Sequence, residues 1–330
     1  LILRRAKLCP LAFGANCTIL KITIFLCGKG DTFMRYTLEN EFLTVQAESL
    51  GAELVSVVDK ATGAEMLWHG DPKVWPRQAP ILFPYCGKLR GGRYTLDGAE
   101  YQCPQHGIAR DYEHEFLGVF GSEMRFCLRS SAGTLERFPR EFELTSSFSL
   151  CGRTLRHTLT VKNTGEKELR FGIGYHPGFA LPFDGAHTTQ DYELRFDTPQ
   201  APAVIETGAG EDAGLVTGET RLLMEKSAVI PLEDRMFDSD SICMGALSAK
   251  TLSIVEKDSG RAVRVGIEGY PYVLIWSMPG DPALQFICVE PWHSLPDRVD
   301  AAGDWNEKPC AAALTPGGEW HTDLNMTFDR

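Results

Sequence analysis

The sequence lacks the features of proteins that bind nucleic acids, membranes or nucleotides. Its 33 lysines and arginines face 44 aspartates and glutamates, for a formal net charge of -11, whereas polyanions require clustered cations that replace their counterions. No apolar run reaches the roughly eighteen residues that a membrane-spanning helix needs. The glycine-rich stretch at residues 208–214 has no lysine and no strand-to-helix frame, so it does not predict a phosphate loop. We expect neither a nucleic-acid partner nor a membrane partner.

The cysteines form no motif for metal or redox chemistry. There are ten in 330 residues, none of them in a C-x-x-C pair, which argues against a disulfide framework and a zinc site. The segment from Cys103 to His106 has a metal-like spacing, but no second Cys/His pair accompanies it. We expect reduced thiols, a cytoplasmic protein and no metal.

Residues 1–33 resemble a signal peptide only loosely. A basic start precedes an apolar run at residues 22–27, but Lys21 interrupts the apolar region and no clean cleavage site follows. Met34, a credible initiator, opens an amphipathic strand pattern. We therefore predict that residues 1–33 are a leader or upstream segment outside the fold, and that residues 34–330 form a single domain. With 43% hydrophobic residues, that domain can bury a large core.

What the sequence does contain is a series of short alternating or β-rich runs. They lie at residues 42–47, 53–59, 93–96, 125–130, 143–150, 154–162, 169–174, 192–196, 252–257, 262–267, 272–276 and 284–289. Hairpin turn residues such as Asp97-Gly98 separate them, and no regular alternation with long helices appears. The pattern predicts an all-β protein of two large antiparallel sheets packed face to face. We expect short helical turns at residues 135–140 and near Arg221, and an exposed excursion at residues 198–220.

Three stretches each set one titratable side chain among glycine, proline and aromatic residues. They are His106 to Arg110, Gly174 to Phe179 and Cys288 to Trp292. Two imidazoles and one carboxylate can give and take protons near neutral pH. Since nothing in the chain resembles an activated nucleophile, this set predicts proton transfer on a polar organic molecule.

Each of these residues also has a purely structural interpretation. Glu290 follows a buried run and precedes Pro291, which cannot donate to a sheet ladder, so it is either a carboxylate at a strand end in a site or one that points to water. His176 could be a core histidine hydrogen-bonded to a carbonyl, and His106 a turn residue. Trp292 favours the site interpretation, because an aromatic ring offers a stacking face for a sugar and lowers the local polarity. Composition and periodicity do not choose between these histidines and the others.

Taken together, these residues resemble the aldose 1-epimerase (mutarotase) family, and within it a bacterial branch that includes the LacX proteins. The resemblance runs from Tyr36 to the end of the chain. It rests on the segments at residues 51–54, 80–84, 87–89, 106–111, 174–177 and 286–292. It implies the galactose mutarotase-like fold, a twisted β-supersandwich of antiparallel sheets with few short helices, which binds a sugar in an open cleft.

The resemblance also implies roles for single residues. Glu290 would be the base on the anomeric hydroxyl and His176 the acid on the ring oxygen, with no cofactor. The implied sugar contacts are His106, Lys88, Asp240, Arg110 and Trp292. Lys88 stands where better known members have an arginine, and a lysine lacks the bidentate fork of a guanidinium. Asp238 remains an alternative to Asp240.

These expectations lead to one main hypothesis and two alternatives. The main hypothesis is an aldose 1-epimerase that interconverts the anomers of a free hexose, as a monomer or homodimer. A hexose-6-phosphate mutarotase would need a cationic cluster, which Arg90, Arg93 and Arg110 could supply. A non-catalytic carbohydrate-binding protein could use the same cleft.

Overall fold

The computed structural model describes residues 19–26, 32–280 and 283–330, and within them the regular secondary structure is almost entirely strand. One helical turn, α1 (Ala132–Leu135), and four 3₁₀ turns, at Arg90–Gly92, Ala109–Asp111, Thr189–Asp191 and Gly210–Asp212, are the helical elements of these ranges. In chain order the strands are β1 (Ile19–Leu26), β2 (Thr32–Glu39), β3 (Leu43–Glu48), β4 (Leu54–Asp59), β5 (Ile81–Leu82), β6 (Arg93–Leu96), β7 (Ala99–Gln102), β8 (Glu115–Phe120), β9 (Glu123–Arg129), β10 (Phe142–Cys151), β11 (Thr154–Asn163), β12 (Leu169–Phe171), β13 (Gly174–Tyr175), β14 (Gly178–Ala180), β15 (Tyr192–Gln200), β16 (Ala203–Thr207), β17 (Val216–Leu222), β18 (Ser227–Pro231), β19 (Ile242–Gly245), β20 (Thr251–Glu256), β21 (Ala262–Gly266), β22 (Tyr272–Trp276), β23 (Phe286–Trp292), β24 (Ala312–Leu314) and β25 (Glu319–Asp329).

Two large antiparallel sheets dominate the fold. The nine-stranded sheet has the order β18-β15-β20-β21-β25-β11-β10-β9-β8, and the eight-stranded sheet the order β17-β16-β19-β22-β23-β13-β5, with β14 also paired to β23. A four-stranded sheet, β1-β2-β3-β4, and two strand pairs, β6-β7 and β12-β24, complete the described part. This confirms the predicted all-β class and the large antiparallel sheets.

One face of the eight-stranded sheet packs in the core and the other is open. The alternating direction of the side chains along its strands shows which residues lie on each face. Ile287 and Val289 on β23 belong to the core cluster that also contains Phe148 and Leu159 of the nine-stranded sheet. Because successive side chains of a strand point to opposite faces, the intervening residues of β23 turn away from this core. We call the face that carries Cys288, Glu290 and Trp292 the open face.

Strands overlap every run that the alternation predicted, but three predictions about the remaining segments need correction. The helical turn expected near Arg221 is wrong, because this residue lies in β17, which pairs with β16. The expected excursion at residues 198–220 is also mostly strand, and it forms the edge of the eight-stranded sheet. The helical turn expected at residues 135–140 begins earlier, at Ala132, where the Ser131 hydroxyl accepts a hydrogen bond from the Thr134 N–H.

The N-terminal segment is partly described. Ile19–Leu26 is a strand that pairs antiparallel with Thr32–Glu39, while the other residues before Thr32 lie outside the described ranges. The exclusion of residues 1–33 from the domain therefore stays a prediction. Within the described residues, none of the helices has the length and apolar character needed to cross a membrane.

Candidate active site

A cavity of about 310 Å³ opens on the open face of the eight-stranded sheet. Its volume lies at the lower end of the range for small-molecule sites. The lining includes most of the side chains that the sequence singled out, namely His106, Arg110, His176, Asp240, Glu290 and Trp292. Segments that are more than 180 residues apart in the chain therefore meet around one space.

The two central groups, Glu290 and His176, face each other at a gap in the strand pairing between β23 and its neighbours β13 and β14. Val289 and His293 donate their backbone N–H groups to the carbonyls of Pro177 and Ile173. Pro291, between these two donors, has no N–H. The neighbouring strand breaks at this point, since β13 ends at Tyr175 and β14 starts at Gly178. His176 lies in that break and brings its Nε2 to 3.3 Å from Oε2 of Glu290.

This geometry corrects one detail of the sequence interpretation. Glu290 does not mark the end of its strand, because β23 continues through Pro291 to Trp292, and Glu290 is paired with Leu274 of β22. The carboxylate does not point to water either, since Glu290 is 1% exposed and His176 7% exposed. The proline interrupts the neighbouring strand rather than its own.

Burial sets the proton affinities of this pair. It raises the pKa of Glu290 well above its ordinary value, and the negative charge of Asp240 adds to this, while the Trp292 indole opposes it. Burial, followed by the charge of Arg110, lowers the pKa of His176 to about 3. Both groups therefore favour their neutral forms.

Four buried polar atoms of the lining have no hydrogen-bond partner in the described chain. They are Nε of Arg110, Nδ1 of His176, Oε2 of Glu290 and Nε1 of Trp292. The 3.3 Å contact between Oε2 of Glu290 and Nε2 of His176 does not have the geometry of a hydrogen bond. Buried polar groups are nearly always paired, and an unpaired one costs about 1–3 kcal/mol. A cluster of such atoms around one cavity leaves hydrogen-bonding capacity that a polar ligand or ordered water can fill.

His106 is held by a tight turn against Gly87. Its backbone has φ of 68°, in the left-handed region, and its Nδ1 accepts the Gly87 N–H at 3.1 Å, which leaves Nε2 as the nitrogen that carries the ring proton. At Gly107, φ is 76° and a Cβ would lie 2.1 Å from the Phe83 carbonyl oxygen, so only glycine fits. The turn therefore fixes the ring of His106, which lies 5.6 Å from that of His176 between centroids.

Two tryptophans that the sequence interpretation did not single out complete the aromatic wall. Trp75 stacks on the ring of His176 at 4.9 Å between centroids, and Trp276 approaches His176 edge-on at 5.7 Å. Both line the cavity together with Trp292. Trp276 ends a predicted strand, a signal that the sequence does contain. Trp75 follows the turn at residues 72–74 and has no local pattern.

The segment that carries Trp75 is anchored by a buried glutamate. Oε1 of Glu53 accepts the backbone N–H groups of Gln78 and Ala79 at 2.7 and 3.1 Å, and Oε2 accepts a hydrogen bond from Arg77 at 3.2 Å. Arg77 also donates to the backbone carbonyl of Arg110 at 2.8 Å. One carboxylate thus connects two segments of the cavity wall.

The structure distinguishes between the two candidate aspartates. Asp240 lines the cavity, with a left-handed φ of 94° and its carboxylate bound to the Ser241 N–H at 2.8 Å. Asp238 is exposed and forms an ion pair with Arg235 at 2.6 Å. Asp240 is therefore the aspartate that can reach a ligand.

Lys88 lies beside the cavity without lining it. Its Nζ donates to the Ala213 carbonyl at 2.8 Å, next to Gly214, which does line the cavity. A contact between Lys88 and a ligand stays a prediction.

The cationic cluster that a phosphorylated sugar would need does not form in the described residues. Of the three candidate arginines only Arg110 lines the cavity. Arg90 donates to the Ala301 carbonyl and Arg93 lies 3.6 Å from Glu100, both on the exposed surface. Arg110 itself donates to the Gln105 carbonyl at 2.7 Å.

The donor set near Glu290 fits proton transfer better than metal binding. Ligand atoms of His176, Cys288 and Glu290 lie within 4.8 Å of one another. However, burial, followed by the charge of Glu290, raises the pKa of the Cys288 thiol well above its ordinary value. Since metals bind the thiolate rather than the thiol, this set is a poor match for a metal ion.

Comparison with known proteins gives the family of the chain. A family model described as aldose 1-epimerase matches residues 34–308. The chain belongs to the aldose 1-epimerase family. The resemblance drawn from the sequence motifs is thereby confirmed.

Relatives of this aldose 1-epimerase family member cover nearly its whole length. The plasmid and chromosomal LacX proteins of Lactococcus lactis subsp. lactis are 30% identical over 296 residues, 86% of this chain and 95% of theirs. The crystal structure of a galactose mutarotase related enzyme from Lactobacillus acidophilus matches with a TM-score of 0.84 and 29% identity over 90% of this chain and 98% of its own. A galactose mutarotase-like protein from Lactobacillus casei ATCC 334 matches with a TM-score of 0.80 and 29% identity, covering 88% and 98%.

Proposed function

We propose that this protein is an aldose 1-epimerase that interconverts the α and β anomers of a free hexose. The observation that carries the proposal is the contact between Glu290 and His176 at 3.3 Å in a cavity whose buried polar atoms lack partners. One pyranose placed there can touch both groups through its anomeric hydroxyl and its ring oxygen. Membership of the aldose 1-epimerase family supports the same reaction type.

The proton affinities fit a pair that holds one proton in the resting site. Such a pair titrates as a unit, and its proton can lie on either partner. With the proton on His176, the carboxylate of Glu290 removes the proton of the C1 hydroxyl while His176 protonates the ring oxygen. The C1–O5 bond then breaks and the sugar opens to the aldehyde.

Ring closure returns both protons. Rotation about the C1–C2 bond presents the other face of the carbonyl to the C5 hydroxyl, which attacks C1 and gives its proton back to His176. The new C1 oxygen takes its proton back from Glu290, so the pair ends in its starting state. Each positioned proton transfer contributes about 10²- to 10⁴-fold, enough for a reaction that already proceeds in water.

The remaining lining groups suit the rest of a neutral sugar. Asp240 offers an acceptor for hydroxyl groups, and Arg110 adds a cation with an unpartnered Nε. The ring nitrogen Nε2 of His106 offers a further polar contact, beside the side-chain amide of Gln105, which lies 3.2 Å from it. Trp276 and Trp292 offer apolar ring surface. Because Arg90 and Arg93 are outside the cavity, we favour a free hexose over its 6-phosphate.

The test measures anomer exchange directly. Saturation transfer between the α and β anomers of glucose and galactose is expected to increase with the wild-type protein and to fall by about 10³-fold with Glu290→Gln. Glu256→Gln is the matched control, since Glu256 is also a buried glutamate, 2% exposed, but lies outside the cavity. An unchanged rate with Glu290→Gln would refute the assigned base.

Sugar binding without exchange would favour the alternative of a non-catalytic carbohydrate-binding protein. Calorimetry with the same two sugars separates this outcome from a complete lack of binding. Comparing exchange of glucose and glucose 6-phosphate tests the preference for the free sugar, because a phosphate specialist would accelerate the phosphorylated sugar more strongly.

A cytoplasmic location is part of the same proposal. All seven cysteines in the described part of the chain are free thiols, and five of them are buried. Free thiols are typical of proteins in reducing compartments. Fractionation of the native host with an antibody against the protein would test this location.

A further inference from the structure

Glu53 is a buried carboxylate that the proposed reaction does not use. It is 6% exposed, and burial raises its pKa although the charge of Arg77 opposes this effect. Glu53 does not line the cavity. Because a buried carboxylate is costly unless its oxygens are paired, the partners of Glu53 indicate what it does.

The first segment that Glu53 holds is the one that carries Trp75. The carbonyl of Trp75 accepts the indole N–H of Trp68 at 2.8 Å. Further along the chain, Oε1 of Glu53 accepts the N–H groups of Gln78 and Ala79 at 2.7 and 3.1 Å. The segment is therefore fixed on both sides of Trp75, whose ring is stacked on the imidazole of the site.

The same segment borders the gap in which His176 lies. The carbonyl of Gln78 accepts the N–H of Gly178, the first residue of β14, at 2.8 Å. A Cβ at Gly178 would lie 2.8 Å from the indole ring of Trp75, so the ring leaves no room for a side chain there. The hydrogen bonds of Gln78 therefore fix the start of β14 relative to Trp75, and with it one border of the gap.

The second segment that Glu53 holds is the turn that carries Arg110. Nη1 of Arg77 donates to Oε2 of Glu53 at 3.2 Å and to the carbonyl of Arg110 at 2.8 Å, while its Nη2 is paired with Asp111. The same carbonyl packs against Gly51, where φ is 70° and a Cβ would lie 2.9 Å from the oxygen. The backbone position of Arg110 thus depends on the pair formed by Arg77 and Glu53.

Both segments meet at the imidazole of His176. Trp75 is stacked on this ring at 4.9 Å between centroids, and after burial the charge of Arg110 is the main cause of the lowered pKa of His176. A shift of either partner would change the orientation or the proton affinity of the imidazole. Displacement of a reacting group by about 1 Å can cost about 10²-fold in rate.

We propose that Glu53, together with Arg77, is a positioning residue that holds Trp75 and Arg110 against the imidazole of His176. Glu53 acts through these residues and takes no part in proton transfer. This inference rests on the proposed function, to which it adds a residue from outside the cavity.

The first test is the variant Glu53→Gln. It retains an oxygen that accepts the N–H groups of Gln78 and Ala79, but it presents an amide N–H, a donor, to the guanidinium of Arg77. The hydrogen bonds to the segment of Trp75 are thereby largely kept, whereas the connection to Arg110 is lost.

Glu256→Gln is the matched control. Glu256 is likewise a buried glutamate, 2% exposed, and is likewise paired with an arginine, Arg261, at 2.8 Å. It does not line the cavity. The control therefore shows how much a variant loses when a buried glutamate–arginine pair is broken elsewhere in the fold.

Two measurements are made on each variant, anomer exchange of glucose by saturation transfer and nuclear magnetic resonance titration of His176. For Glu53→Gln we expect kcat to fall by about 10- to 10²-fold and KM to change less. The pKa of His176 should rise from about 3 toward its ordinary value, because water gains access to the imidazole and Arg110 is no longer held near it. Loss of a negative charge alone would lower this pKa instead. Glu256→Gln should change neither kcat nor the titration.

Arg77→Lys tests the same connection from its other end, at a residue whose side chain is 25% exposed. An ammonium keeps the charge beside Glu53, but it lacks the fork with which the guanidinium also reaches the Arg110 carbonyl and Asp111. The changes should have the same direction as for Glu53→Gln and be smaller, about threefold to tenfold in kcat. This variant keeps the inference testable if Glu53→Gln does not fold.

The outcomes separate this inference from the proposed function. If the wild type accelerates exchange and a folded variant, Glu53→Gln or Arg77→Lys, retains its kcat or its titration of His176, the positioning role is overturned and the proposed function stands. If the wild type does not accelerate exchange, the proposed function fails and the titration alone decides. A pKa of His176 that rises in these variants but not in Glu256→Gln would support the inference, and an unchanged or lowered pKa would overturn it.

Discussion

Two clusters in the described part of the molecule combine a histidine with carboxylates, and only one of them contains an arginine paired with its carboxylates. His187 lies 2.8 Å from Asp184, and Arg261 donates to Asp184 and Glu256 at 2.7 and 2.8 Å. Near His176 and Glu290 no lysine or arginine of the described chain forms an ion pair with the carboxylate. Both carboxylates of the first cluster are thus paired with an arginine, although Nε of that arginine has no hydrogen-bond partner in the described chain, whereas Oε2 of Glu290 is buried without a hydrogen bond.

The proton affinities follow this difference. Hydrogen bonds to Asp184 and then Asp258 raise the pKa of His187 to about 9, while burial lowers the pKa of His176 to about 3. For Glu256, hydrogen bonds from Ser259, Tyr192 and Arg261 outweigh the effect of burial and lower the pKa. A histidine and a glutamate close together do not by themselves indicate chemistry. What distinguishes the site is burial without a compensating partner.

The largest expected effect comes from the same substitution made in both clusters. His176→Gln is expected to reduce anomer exchange by about 10²- to 10³-fold, because the amide cannot carry a proton to the ring oxygen. His187→Gln is expected to leave exchange unchanged. Saturation transfer with glucose, with both variants at equal concentration, makes the comparison, and equal rates for the two variants would remove the distinction between the clusters.

His187→Gln should instead affect stability in a pH-dependent way. Because the folded pKa of His187 is raised to about 9, its contribution is complete below the unfolded pKa of about 6.5 and is lost as pH rises through about 9. The Tm of the variant should therefore lie below that of the wild type at pH 6 and approach it at pH 10. A difference that does not change with pH would argue against a charged His187.

A smaller effect is expected when the ring that packs on His176 is removed. Trp75→Ala is expected to lower kcat by about tenfold, since the imidazole loses the stacked ring that orients and desolvates it. Nuclear magnetic resonance titration of His176 should then show its pKa raised from about 3 toward the ordinary value. Trp75→Phe should restore most of the activity, and Trp320→Ala, which removes a tryptophan outside the cavity, should change neither kcat nor the titration.

The smallest expected effect is a shift of the pH profile. The charge of Asp240 raises the pKa of Glu290, so Asp240→Asn should lower it, and the resting pair should lose its shared proton at a lower pH. The alkaline limb of kcat is expected to move to lower pH by up to about one unit. A shift to higher pH would contradict the shared-proton description, in which loss of the proton ends activity.

Much of the fold was predictable because strand patterning is local. Alternation identified β22 and β23 correctly, including the buried run that leads to Glu290. The edge strand β17 was missed, since its residues are exposed beyond Thr217 and carry no alternating pattern. The interpretation of Pro291 as a strand end was wrong for a different reason: whether a missing N–H matters depends on the neighbouring strand, which the local sequence does not contain.

The site was predictable only in part. His106, His176 and Glu290 stand among glycine and proline residues, which mark unusual backbone, and all three line one cavity. Trp75 was missed because its contact with His176 joins residues about a hundred positions apart. The choice between Asp240 and Asp238 likewise depended on which side chain the turn directs inward.

Pro291 helps to keep the gap between β13 and β14 open. Any other residue there would supply an amide that seeks an acceptor on the adjacent strand, and the segment from Tyr175 to Pro177 could be drawn into continuous pairing. His176 would then become part of a continuous strand and lose its position beside Glu290. The ring of one proline thus keeps the neighbouring strand from pairing continuously across the gap in which His176 lies.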